Sequence, residues 1–138
     1  MDADTPDRAV ALPMPEPAAD NPLPIVLAKD GVVVLSYLAF SARRRTHVLV
    51  TFHRAFAHRL QPPGPATPPP PAAAGRRPET AYEIKNPSWA RALGLAAGRH
   101  YAFAFRDAVF ECLAEGYGSE VLDEDDDAVR QMARRLYK

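Results

Sequence analysis

The 138-residue chain balances 17 basic against 17 acidic residues and holds 15 prolines, 14 of them in residues 6–24 and 62–78. Those two stretches are poor core material, which leaves residues 23–60 and 79–138 for a single hydrophobic core of the usual marginal stability, roughly 5–15 kcal/mol. No apolar run approaches the roughly 18–20 residues of a membrane-spanning helix, and a single cysteine, Cys112, excludes an internal disulfide and a cysteine-built zinc or iron–sulfur site.

Residues 1–22, rich in Pro, Ala and Asp and without apolar periodicity, read as a disordered acidic tail. They lack a basic head followed by an apolar segment, so neither a secretory signal nor a transit peptide is expected and the expected location is cytoplasmic. The rest, residues 23–138, reads as one domain interrupted by a proline-rich loop at 61–78. Residues 24–28 and 32–37 are apolar and β-branched around Asp30-Gly31, the signal of a tight β-hairpin. A basic connection at 41–45 leads into a strand at 46–53, with Val48, Val50 and Phe52 on one face and His47, Leu49, Thr51 and His53 on the other. Residues 54–60 admit two readings, because Phe52, Phe56 and Leu60 recur every four residues as on a helix, whereas a strand running on through a bulge suits them too. The bent strand is the favoured reading. The loop that follows holds Pro68 to Pro71, an extended polyproline segment, and a loop of this length inside a domain is either disordered or functional.

Residues 80–85 read as a short strand, after which Asn86 caps and Pro87 opens a helix over 88–93, stopped by Gly94. Residues 99–117 alternate large with small or polar side chains as a β-hairpin does. With the turn centred just after Asp107, Phe105 faces Phe110, Phe103 faces Cys112 and Tyr101 faces Ala114, which puts Cys112 on the aromatic face. The other face then carries His100 opposite Glu115 and reads as an ordinary solvated or partner-facing surface. An acidic run at 123–127 precedes a basic-ended amphipathic helix over 128–138, both ends suiting the helix dipole. The order predicts an α+β fold: an antiparallel sheet of about five to six strands, with a short helix and a C-terminal amphipathic helix packed on one face.

Tyr82-Glu83-Ile84, Asn86-Pro87-Ser88-Trp89, His100-Tyr101-x-Phe103-x-Phe105-x-Asp107 and Phe110-Glu111-Cys112-x-Ala114 together resemble small bacterial proteins of uncharacterised function. Those carry an E-x-x-N-S-x-W helix entry followed by an H-Y-x-F-x-F-x-D-x-x-F-E-x-x-A hairpin. The resemblance extends to Thr51-Phe52 and His58-Arg59 and covers most of the folded body, but not the tail or the proline loop. Pro87 stands where such proteins often have serine. The resemblance implies no established activity, and since proteins of this size and pattern include toxin-immunity-like members, it favours binding over chemistry.

A cysteine nucleophile needs an adjacent base, yet His100 projects from the face opposite Cys112. A metal site from His47 and His53 fails because about 20 Å of strand rise separates them, and the five-residue spacing of His53 and His58 suits neither strand nor helix ligation. Glu111 and Glu115 are about 13 Å apart along a strand, beyond an acid–base pair. No cofactor and no metal is expected.

The charge is segregated. Residues 43–100 hold 10 basic and 2 acidic residues, a local +8 between two segments of −4. A solvated basic rim neutralised across the fold accounts for this, and so does an anionic partner. The leading expectation is a small binding protein, immunity-like or accessory, that engages an acidic protein partner through Arg43, Arg44, Arg45, Arg54, Arg59, Arg76 and Arg77. The alternatives are a small enzyme or small-molecule binder with a cleft drawing on His53, His58, Trp89 or Cys112, and a phosphate- or nucleic-acid-binding protein using the same arginines.

Overall fold

Asp30 and Gly31 sit at φ 52° and 80°, the left-handed pair that a two-residue hairpin turn requires. They join β2 (Ile25–Lys29) to β3 (Val32–Ser41), the predicted first hairpin. The computed structural model describes residues 8–15, 24–41, 44–62, 81–85, 88–95, 98–105, 108–122 and 127–137. Beyond β3 the sheet continues through β4 (Arg44–Gln61), β7 (Val109–Val121), β6 (Arg99–Ala104), β5 (Ala81–Lys85) and β1 (Arg8–Ala11). All neighbours are antiparallel, and the order is β1-β5-β6-β7-β4-β3-β2.

This corrects the expected α+β architecture of five to six strands. The molecule is mostly sheet, with seven strands and two short helices among the described residues, α1 (Ser88–Ala92) and α2 (Ala128–Leu136). One reason is β1, which falls in the stretch expected to be a disordered tail. Its register, Arg8↔Lys85 to Ala11↔Tyr82, is held by main-chain groups, which leave no periodicity in a short edge strand for sequence reading to find. Residues 1–7 and 16–22 of that tail, and residues 63–78 of the proline-rich loop expected at 61–78, lie outside the described residues, as do Asn86 and Pro87.

The second reason is where the core sits. β3 and β6 are three strand spacings apart, about 14 Å in a flat sheet, yet the Tyr37 ring lies 6.0 Å from Phe103 and 5.6 Å from Phe105. The sheet therefore curls until one face closes on itself. Val33, Leu35, Tyr37, Val48, Val50 and Phe52 from one side meet Tyr101, Phe103, Phe110 and Cys112 from the other. Phe52 is the hub, with ring centroids 5.6 Å from Tyr101, 5.9 Å from Phe103 and 5.8 Å from Phe110. Leu12 and Met14, just after the edge strand β1, pack on the same cluster, and the Tyr37 hydroxyl donates to the Pro15 carbonyl at 2.8 Å. The concave face is thus sealed by aromatic side chains and not by a helical layer.

The convex face carries the helices. α2 buries Ala128 and Met132 against Val34, Leu49 and Leu122, with Asp127 capping it by accepting from the Arg130 amide at 3.2 Å. Arg135 pairs with Glu120 on β7. α1 buries Ala90 and lies against β6.

The 99–117 hairpin differs in register from the expectation. Phe105 N–H donates to the Ala108 carbonyl at 2.8 Å, which centres the turn one residue earlier, so Tyr101 faces Cys112 and Phe103 faces Phe110. The resulting shift of two residues is even, which preserves the face of every side chain. Cys112 accordingly lies on the aromatic face, fully buried.

β4 is the bent continuous strand favoured from sequence. Arg54 takes φ 52° and the register slips between Ala55 and Ala57, the marks of a β-bulge. The β3–β4 pairing runs from Ser41↔Arg44 to Val33↔Phe52, because β3 begins at Val32 just after the Asp30-Gly31 turn and β4 continues past it. The last contact is the Ala55 N–H donating to the Gly31 carbonyl at 2.7 Å. Past it, β4 is paired to β7 alone among the described strands.

Candidate functional site

The densest gathering of polar side chains lies on the convex face, where β4, β6, β7 and α1 meet. Glu111 is nearly buried. Its Oε1 lies 2.8 Å from His100 Nε2, and its Oε2 accepts from Arg59 Nε at 2.8 Å. The indole of Trp89 covers the group, with the Arg59 guanidinium 4.2 Å from its ring centre and the His100 imidazole edge-on at 5.2 Å. The local sequence explains the convergence: Ala102 faces Glu111 in the ladder and Arg59 faces it from β4, so the small alanine leaves the carboxylate room to reach diagonally to His100. Burial works to raise the Glu111 carboxyl, but the hydrogen bonds from His100 and Arg59 outweigh it and hold the group below the usual carboxylate range.

The arrangement is a tie, with little capacity for acid–base chemistry on a substrate. Both carboxylate oxygens are engaged, His100 is 6% exposed, and its remaining Nδ1 is buried without a partner. This corrects the expectation that the His100 face is ordinary and solvated and that His100 opposes Glu115. His100 faces Leu113, while Glu115 pairs with Arg54 at 2.9 Å. A second buried carboxylate, Glu83, is held bidentately by Arg99 at 2.9 and 2.7 Å, with Lys85 at 3.4 Å. There too burial is overcome by cationic partners, and the carboxyl lies below its usual range. Sequence reading missed both clusters. A turn placed one residue earlier would have brought Glu111 within a diagonal of His100, but nothing in the chain marked Arg99 as the partner of Glu83.

Of the candidate pocket residues, the structure brings none together as a cleft. Cys112 is sealed among aromatic rings, and burial pushes its thiol up to about 12, which leaves no thiolate near neutral pH. His58 faces Cys112 in the β4–β7 register but is itself exposed and leans on Phe110, 6.3 Å between ring centres. His53 is exposed on β4 before the bulge. Trp89 serves the Glu111 tie. A shallow depression of about 280 Å³ lies beside the first hairpin turn, between Lys29, Asp30 and Gly31 and the bulge residues Phe56 and Ala57. His58 is the one candidate side chain that lines it. Among the described residues no three His, Cys, Asp or Glu side chains gather around a common point as metal ligands would.

The arginines divide into two groups. Arg54 and Arg59 are engaged with Glu115 and Glu111. Arg44 and Arg45 begin β4, opposite Ser41 and Phe40 at the far end of the β3–β4 hairpin. Arg43, Arg76 and Arg77 lie outside the described residues. No helix among the described residues is long and apolar enough to cross a membrane. Comparison of the chain with protein families, with curated proteins and with solved structures finds no match.

Proposed function

We propose that this chain is a small binding protein, immunity-like or accessory, that engages an acidic protein partner in the cytoplasm. The observation that supports the reading best is the contrast between the sealed groups and the basic ones. The chain's thiol and the His100 imidazole are buried and committed, whereas Arg44 and Arg45 belong to the tip of the longest hairpin, within the segment of local charge +8. A basic hairpin tip steers an acidic surface toward it and fixes its orientation. Because Arg54 and Arg59 already face Glu115 and Glu111, the partner-facing charge falls to Arg43, Arg44 and Arg45, with Arg76 and Arg77. The single cysteine accords with a reducing compartment.

The test is fluorescence anisotropy of a labelled polyglutamate peptide, read at low and high salt, for the full chain and for R44E/R45E. The reading expects binding that weakens with salt and falls by about tenfold or more on charge reversal. Equal binding by the variant overturns it. So does tighter binding of a labelled single-stranded oligonucleotide, which would favour the nucleic-acid alternative.

A further inference from the structure

Leu12, Pro13, Met14 and Pro15 cross the mouth of the curled sheet from one lip to the other. At one end the Leu12 N–H donates to the Ala81 carbonyl beside β5 at 2.9 Å, and at the other the Pro15 carbonyl accepts from the Tyr37 hydroxyl on β3 at 2.8 Å. β5 and β3 stand second from opposite ends of the sheet order, and so short a segment bridges them because the curl brings the Tyr37 and Phe103 rings to 6.0 Å. The Met14 N–H turns back on the Leu12 carbonyl at 2.9 Å, a three-residue turn centred on Pro13, whose ring holds φ where such a turn needs it. Leu12 and Met14 pack on the aromatic cluster on either side of the exposed Pro13.

The attachment is slight. Two hydrogen bonds fasten this strap to the rest of the fold among the described residues, and the strand before it, β1, is a short edge strand paired on one side alone. Segments of this kind open at lower free energy than the core. Lifting the strap uncovers a surface of aromatic rings together with the Tyr37 hydroxyl, whose residue is 2% exposed while the strap is in place. Aromatic floors with a hydrogen-bond donor are what extended proline-containing peptides dock on.

We propose that residues 12–15 are a displaceable strap, seated in cis in a groove whose ligand is an extended partner peptide of the pattern apolar-Pro-apolar-Pro. The occupant is read from the segment already seated there. It supplies a main-chain N–H to the Ala81 carbonyl, two apolar side chains separated by a proline to the aromatic floor, and a carbonyl after the second proline to Tyr37. A partner peptide of the same pattern supplies every one of these contacts. The strap sets a threshold for it, because its covalent tether gives it an effective concentration of roughly millimolar that the partner must outcompete.

The test is fluorescence anisotropy of a labelled, amidated peptide of residues 9–15, titrated with the full chain and with its L12D/M14D variant, whose strap cannot rest on an apolar floor. The variant is expected to remain folded and to bind the peptide about tenfold or more tighter than the unaltered chain, because the cis competitor is gone. Adding Tyr37→Phe weakens that binding several-fold. In the otherwise unaltered chain, Met14→Cys is expected to react with a chromogenic disulfide at a rate that low urea leaves unchanged, whereas Cys112 waits for global unfolding. Unfolding of L12D/M14D, peptide binding no tighter than that of the unaltered chain or indifferent to Tyr37→Phe, or Met14→Cys reacting only as fast as Cys112 overturns the proposal, since the strap is then a fixed part of the core. R44E/R45E leaves peptide binding unchanged, so the failure of this proposal and that of the acidic-partner reading are separate.

Discussion

His100 on β6 and Glu111 on β7 meet at 2.8 Å although they are not ladder partners, His100 facing Leu113 and Glu111 facing Ala102. The contact is diagonal, and with Arg59 reaching the same carboxylate from β4 it ties three adjacent strands on the convex face. Glu111→Ala leaves the buried His100 and the partly exposed Arg59 without their acceptor and is expected to lower stability by roughly 1–3 kcal/mol. The urea midpoint measures this. A midpoint within error of wild type would mean the tie contributes nothing.

The same carboxylates set the response to acid. Glu83 and Glu111 titrate below their ordinary 4.5 in the folded chain because Arg99 and Lys85, and His100 and Arg59, offset the burial that would raise them. A depressed folded value stabilises above the unfolded value, and that stability is lost as the pH falls through the folded one. Unfolding midpoints are therefore expected to hold above about pH 5 and to decline below it. In Glu111→Gln that decline is shallower, read as urea midpoints across an acid series.

Cys112 makes the opposite case. Its thiol is pushed up to about 12 by burial, so the neutral form's stabilisation is complete below the ordinary thiol value and is lost as the pH climbs from there toward 12. Reaction with a chromogenic disulfide at mildly alkaline pH is expected only at the rate at which the fold opens, and in full once urea unfolds the chain. Rapid native-state labelling would contradict the buried placement.

Phe52 touches three aromatic rings on the concave face. Phe52→Ala removes the hub of the core and is expected to cost about 3–5 kcal/mol, a large part of the stability of a domain this size. Phe56→Ala, on the exposed half of the same strand, is expected to change the denaturation midpoint little. The pair separates core from edge in one assay.

Gly31 stands at φ 80° with open space where a Cβ would be, so Gly31→Ala meets no steric neighbour and pays only for the left-handed backbone, about 1–2 kcal/mol. Gly116, also open but without positive φ, is expected to accept alanine at no loss. Equal midpoints for the two variants would argue against the tight turn that defines the first hairpin.

Local pattern alone carried the Asp30-Gly31 hairpin, the bent β4, the C-terminal helix and the aromatic setting of Cys112, because turn chemistry, terminal charge and two-residue alternation are written over a few neighbouring positions. Tertiary structure decided the rest. Whether Arg8 to Ala11 joins the sheet depends on main-chain partners on β5, the convergence of Arg59, Glu111, His100 and Trp89 depends on a turn one residue from where spacing put it, and the stretch of β4 paired to β7 alone follows from β4 running past the first hairpin turn. Contacts between residues far apart in the chain follow from how much the sheet curls, and curling is set by the summed packing of the Tyr37, Phe52, Phe103 and Phe110 rings, a property of all the strands together and of no segment by itself.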